Sequence, residues 1–263
     1  MITERFKMLE HWIRERENIR LRREAGEPKP WTTDPVLQNY RFCNVHREDD
    51  KVTRWIARNW RDPNNGHENM VLAMALARLV NWPDSLMQIG FPYEWDPDEF
   101  IDVMRYRREN GLKGWTGAYM ITAEANGSPK EVSVARTLDF IDARSWYPST
   151  CYALWEKLQD APRVGSFIAA QIVADVKHTD ALIEAEDYLT FCAPGPGSMN
   201  GLNWLLGKDM HTAWRQADFS DVVNSLRASM GHVVEMDAQD MQNCLCEVFK
   251  YQRGYSRSKY PGV

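Results

Sequence analysis

The densest run of reactive side chains occupies residues 39–56, NYRFCNVHREDDKVTRWI. Arg47, Lys51 and Arg54 fall at i, i+4 and i+7, so on one helix they share a cationic face. Arg41 and Asn44 enter from the preceding turn. Planar guanidinium forks and an ammonium on one face are suitable donors for a pyrophosphate. The same run also reads as a solvated helix in which Glu48 and Asp49 pair with neighbouring cations, each pair worth about 0.2–0.5 kcal/mol.

A second reactive stretch spans residues 158–207. Its first signal is a tight turn, Pro162-Arg163-Val164-Gly165, between helical patterns carried by Leu154, Trp155 and Leu158 and by Phe167, Ile168, Ile172 and Val173. Glycine there supplies a positive φ or a close backbone approach. The amides of Gly165, Ser166 and Phe167, opening the second helix, suit a phosphate. Asp187 follows 22 residues after Gly165, where a lone carboxylate also reads as a helix cap. The third signal, APGPGS at residues 193–198, is a rigid loop from which Ser198 caps a helix holding Leu202, Leu205 and Leu206.

The elements that must position these groups read as helical. An amphipathic helix is predicted over residues 3–25, broken by Gly26 and the prolines up to Pro35. Further helices are predicted over 49–61, 67–81, 97–109, 129–143, 147–159, 166–177, 198–206, 218–230 and 237–252. Residues 111–125 are the best candidate for extended or irregular chain. The expected architecture is mainly α, one compact unit, with any two lobes formed by about residues 30–125 with 208–253 and by 126–207. A loose basic tail is expected over 254–263.

Composition narrows the function. The net charge of −5 argues against a non-specific nucleic-acid coat, although a local basic groove is compatible with it. Eleven tryptophans are unusually many; most suit core packing, and a surplus also suits stacking on bases. The five cysteines match no zinc spacing and read as reduced thiols of a cytosolic protein. The charged N-terminus is no signal peptide, and no apolar run is long enough to cross a membrane. A Walker loop, a dinucleotide fingerprint and a His-rich metal motif are all missing from the sequence. No cofactor is therefore expected, and a divalent metal is left open without support from any motif.

Hairpin, Asp187 and proline–glycine loop, in this order, resemble the helix-hairpin-helix DNA glycosylase superfamily, in which a hairpin grips the DNA backbone and a catalytic Asp follows. The lysine common after that hairpin is replaced here by Ser166 and Phe167. Five blocks taken together resemble one group more specifically. They are YRFCNVHREDDKVTRWI, WTGAYMI (residues 115–121), VGSFIAAQIVADV, APGPGSMNGLNWL and LCEVFKYQRG (residues 245–254). The group is the glycosylase-like α-glutamyl/putrescinyl-thymine pyrophosphorylases, or amino acid:DNA transferases, of phages and bacteria, to which the helical domain named after 5-hydroxymethyl-deoxyuridine DNA kinase is related.

The resemblance implies a helix-hairpin-helix, glycosylase-like fold and a transferase acting on double-stranded DNA in a host cytoplasm. Its substrate would be 5-pyrophosphoryloxymethyl-uracil, from which an amino acid such as glycine, or a polyamine, displaces pyrophosphate. It implies pyrophosphate binding by Arg41, Asn44, Arg47, Lys51 and Arg54, and DNA binding by Arg163, Gly165, Ser166, Gly197 and Ser198. Lys250 and Arg253 would hold the DNA backbone, the pyrophosphate or an amino acid's carboxylate. Tyr119 would stack on a flipped base. The attacking amine must lose a proton to a carboxylate; Asp187 is the first candidate by superfamily position, Glu247 the second and Asp175 the third. Two alternatives stand beside this reading: a glycosylase excising a modified thymine, and a non-catalytic DNA-binding adaptor.

Overall fold

The structure is a computed structural model and describes residues 2–116, 127–254 and 257–258. In chain order it contains α1 (Ile2–Glu24), α2 (Pro35–Asn39), β1 (Tyr40–Arg41), a 3-10 turn (Arg47–Asp49) and α3 (Lys51–Ile56), which runs into a π-helical segment (Ala57–Arg61). Then follow α4 (Met70–Val80), α5 (Pro83–Ile89), α6 (Pro97–Glu109), α7 (Lys130–Asp142), α8 (Cys151–Leu158) and α9 (Ser166–Val176). The last elements are α10 (Pro196–Leu206), α11 (Gln216–Met230), α12 (Ala238–Tyr251) and β2 (Arg257–Ser258). The fold is mainly helical, as the sequence patterning predicts.

The chain forms two compact units, Met1–Asp50 with Leu189–Val263 and Lys51–Tyr188. These bounds differ from the lobes suggested by the sequence. We call the first the terminal unit and the second the inserted unit.

In the terminal unit, Leu9, Trp12, Ile13 and Arg16 lie on one stripe of α1 and are buried. They join a core with Leu202 and Leu205 of α10, Phe219, Val223 and Leu226 of α11, and Met241, Leu245 and Val248 of α12. Helices α10 and α12 touch backbone to backbone at Gly201, where an added Cβ would stand 2.0 Å from the Leu245 carbonyl oxygen. Tyr251, ending α12, donates its hydroxyl to Asp34 Oδ2 at 2.5 Å, while Asp34 Oδ1 caps α2 through the amides of Val36 and Leu37. Within the tail expected to be loose, Arg257–Ser258 pairs antiparallel with Tyr40–Arg41.

In the inserted unit every residue of α4 is buried, so this helix is the axis on which the others pack. Its Arg78 donates two bonds to Asp175 of α9, with Nη2 to Oδ1 at 2.5 Å, and reaches Thr53 Oγ1 at 3.1 Å and Asn81 Oδ1 at 3.3 Å.

Local departures have physical reasons. The helix predicted over 49–61 is broken because Asp50 is extended (φ −74°, ψ 137°) and turns its carboxylate back to the Asn44 amide. At the 162–165 turn the left-handed residue is Arg163 (φ 64°), not Gly165, which is extended at φ −87° with no atom near a notional Cβ. Gly165 does cap α9. Helix α10 starts two residues before Ser198: Gly195 is its cap and Pro196 its first residue. The Ser198 hydroxyl accepts from Gly195 N and donates to Gly195 O, both at 3.1 Å. Helices α2 and α5, each opened by a proline, escape the sequence pattern because a proline beside few apolar residues reads as a breaker.

Candidate functional site

The terminal unit gathers charged side chains from α1, the 43–50 segment and α12. Two carboxylates grip consecutive amides: Glu247 accepts from Cys43 N at 3.2 Å, and Asp50 Oδ1 accepts from Asn44 N at 3.1 Å. Asp50 Oδ1 also takes the Asn44 side-chain amide at 3.1 Å. Arg16 closes the arrangement from below, donating Nε to the Cys43 carbonyl at 2.9 Å and Nη2 to Asn44 Oδ1 at 2.6 Å. Lys250, one turn after Glu247, donates its ammonium to the Glu247 carboxylate. Asn243, one turn before, donates to the Asn44 carbonyl at 3.2 Å.

Exposure separates floor from rim. Glu247, Arg16 and Asn44 are 2%, 7% and 4% exposed. Cys43, Asp50 and the Lys250 side chain are half-buried. Arg16 Nη1 is buried with no hydrogen-bond partner among the described residues, an unspent donor in the floor.

Electrostatics follow from this layering. Burial raises the Asp50 pKa to about 6, against the pull of the Asn44 amide and the Arg16 guanidinium. Burial lowers Arg16, an effect opposed by Asp50. Burial opposes the charge on Lys250, but the Glu247 carboxylate outweighs it and holds the ammonium above its usual value. Burial pushes up the Cys43 and Cys246 thiols, so both stay protonated near neutral pH and are poor nucleophiles. Beside the cluster, His46 Nδ1 and Asp240 Oδ2 stand 3.0 Å apart, and Asp240 Oδ1 takes the Arg47 amide at 2.9 Å. The first turn of α10 presses on α12 here: a Cβ on Gly197 would lie 2.4 Å from Cys246 Sγ.

Of the residues predicted from the sequence, this cluster holds Asn44, Glu247 and Lys250. Arg47 contributes its amide to the adjoining Asp240, and Gly197 abuts Cys246. Arg41 and Arg253 belong to the same unit, on β1 and just after α12. The expected Arg47–Lys51–Arg54 helix face is not formed: Arg47 sits in the 3-10 turn, and the extended Asp50 separates it from Lys51 and Arg54 on α3. Those two residues, with Arg163, Gly165, Ser166 and Asp187, belong to the inserted unit.

Asp187 has the geometry of a cap. Its Oδ1 accepts from Cys151 N and its Oδ2 from Tyr152 N, each at 2.8 Å, completing the start of α8 beside the Thr150 cap. Asp175, the third candidate, is buried and pairs with Arg78 of α4. Tyr119 lies outside the described residues.

Sequence reasoning missed Arg16 and Asp50. Arg16 had a legible signal, an arginine at i+4 from Trp12 and i+3 from Ile13 on the apolar stripe of α1. Asp50 had none, because it looked like one acid among several on a solvated helix. Among the described residues no group of three or more potential ligands is placed to hold a metal ion.

The chain is 27% identical over 289 aligned positions to the 5-hmdU DNA kinase of Bacillus phage SP10, covering 93% of this chain and 45% of that protein. The chain thus spans less than half the length of this relative. No solved structure matches. Residues 3–259, which take in the inserted unit, nearly all of the terminal unit and the whole carboxylate cluster, match the family model described as "5-hmdU DNA kinase, helical domain". The chain belongs to that family.

Proposed function

We propose that this protein is an amine:DNA transferase of phage-type thymine hypermodification. It displaces pyrophosphate from 5-pyrophosphoryloxymethyl-uracil in double-stranded DNA with an amino acid or polyamine. The relative's name, a kinase for 5-hmdU in DNA, supports a 5-substituted uracil in DNA as the substrate. A helix-hairpin-helix, glycosylase-like arrangement, with the target base turned out of the stack, goes with this reading.

The observation that carries it is the pair of carboxylates on the adjacent Cys43 and Asn44 amides, with Lys250 and Arg16 alongside. In the reaction the amine lone pair forms a bond to the C5 methylene carbon. The C–O bond breaks, and pyrophosphate departs with that electron pair. The nitrogen then gives a proton to Asp50, whose half-buried carboxylate with a pKa of about 6 suits a base working near neutral pH. Glu247 holds Lys250 in place, and the ammonium, with Arg41 and Arg47, balances charge on the departing pyrophosphate. Asp187 serves α8 instead.

The test is incubation with pyrophosphorylated DNA and an amine pool, followed by nucleoside mass spectrometry. Wild type should yield aminomethyl-type nucleosides; Asp50→Asn should lower transfer by about 10²–10⁴-fold. Release of free base without transfer would support the glycosylase reading instead.

One observation favours a second reading: the matching family is described as a domain of a kinase. On that reading the chain binds modified DNA without chemistry of its own. Tight binding of the pyrophosphorylated DNA with no turnover for any amine would select it.

A further inference from the structure

The inserted unit carries a cavity of about 330 Å³ between the loop after α5 and the start of α6. Its walls are aromatic: Phe91, Tyr93, Trp95 and Phe100 line it, together with the acidic Glu94 and Glu99. The Phe91 and Tyr93 rings are 4.9 Å apart, and those of Trp95 and Phe100 5.6 Å apart. From this we infer that the cavity is a binding site for a small organic cation, an alkylammonium. The inference stands independently of the transfer reading.

The faces of aromatic rings carry partial negative charge and attract cations. Glu94 and Glu99 are exposed and make no ion pair among the described residues, so their charge is available to a ligand. An anion would meet both a carboxylate pair and the ring faces, which excludes phosphate groups from this cavity. A neutral apolar ligand would use the rings but leave the carboxylates idle.

The loop is built to hold this shape. Asn69 Nδ2 donates to the Pro92 and Tyr93 carbonyls, both at 3.0 Å. The Tyr93 hydroxyl donates to Asn64 Oδ1 at 2.6 Å, and the Trp95 indole to Asp139 Oδ1 at 2.6 Å. Four bonds thus fix two of the aromatic walls before any ligand arrives, which lowers the ordering cost of binding.

Two-dimensional NMR of the full chain, following the Trp95 indole N–H, tests the site with n-butylammonium chloride and with n-butanol as its uncharged counterpart. Butylammonium should give a saturable shift of that signal, and butanol at the same concentration should bind at least threefold more weakly. Glu94→Gln and Glu99→Gln should each weaken the cation by roughly two- to fivefold, the scale of an exposed ion pair. Tyr93→Leu should weaken it likewise, whereas Tyr93→Phe, which keeps the ring, should not. Equal binding of butanol and butylammonium, or indifference to both Tyr93→Leu and Glu94→Gln, overturns the inference. Because no DNA is present, failure here leaves the transfer reading untouched, and failure of transfer leaves this site untouched.

Discussion

On the transfer reading Asp50 is the base, and the burial that suits it to that role works against folding. Its native pKa, about 6, lies above the ordinary 3.8, so the folded chain keeps a proton that the unfolded chain has already released. Stability therefore falls as pH rises from about 4 to about 6 and stays lower above that range. Asp50→Asn removes the penalty while keeping an acceptor for Asn44. We expect that variant to be more stable than wild type at pH 8 by on the order of 1–3 kcal/mol, with the gap closing below pH 4. Thermal melts at the two pH values measure this directly. A variant that is more stable and also inactive marks a group kept for chemistry rather than for folding. Asp187 predicts the opposite pattern: Asp187→Ala should cost about 1–2 kcal/mol by uncapping α8 and, on the transfer reading, leave turnover by the folded protein unchanged. Loss of turnover without loss of stability would return Asp187 to the chemistry. The sequence makes Glu247 and Asn44 legible as candidates because they sit in blocks rich in polar groups. It hides the partnership of Asp50 with Glu247, because that depends on two amides meeting carboxylates nearly 200 positions apart in the chain.

Helices were the most legible level. The 3.6-residue period of Leu9, Trp12, Ile13 and Arg16 and the capped start of α6 are local signals, and local signals survive folding. Breaks were less legible. The interruption at Asp50 comes from a side chain competing for a backbone amide, and the change to π-helix after Ile56 leaves no mark in the apolar spacing. Helix pairing was illegible for another reason: Gly201 looks like a weak point in α10 until Leu245 is placed against it. Gly201→Ala should push α10 off the Leu245 carbonyl, at a cost of at least about 1–3 kcal/mol. Gly197→Ala presses on the Cys246 side chain, whose sulfur can move and whose Cβ stays at an ordinary 3.4 Å, so it should cost less, and Cys246→Ala should recover most of it. Chemical-denaturation midpoints of the three variants test this ordering; equal losses at Gly197 and Gly201 would count against it.

At the scale of the molecule, the inserted unit is one continuous stretch whose axis, α4, is pinned by Arg78 to Asp175, Thr53 and Asn81. We expect residues 51–188 alone to give a helical circular-dichroism spectrum and a cooperative melt. Asp175→Asn, which strands the buried guanidinium, should cost that fragment about 3–5 kcal/mol. A non-cooperative melt of the unaltered fragment would contradict its independence. The terminal unit is the reverse case, closed only when α12 returns to α1 and the 43–50 segment. During synthesis, Asp50 must wait for almost two hundred further residues before Glu247 and Lys250 exist to join it. The inserted unit can fold in that interval, while the reactive cluster cannot. The cluster therefore closes only after α12 is made, and a product truncated before α12 would carry the inserted unit and an unclosed terminal unit. On the transfer reading such a chain would lack the Glu247–Lys250 half of the cluster, so α12 is the element that completes the site.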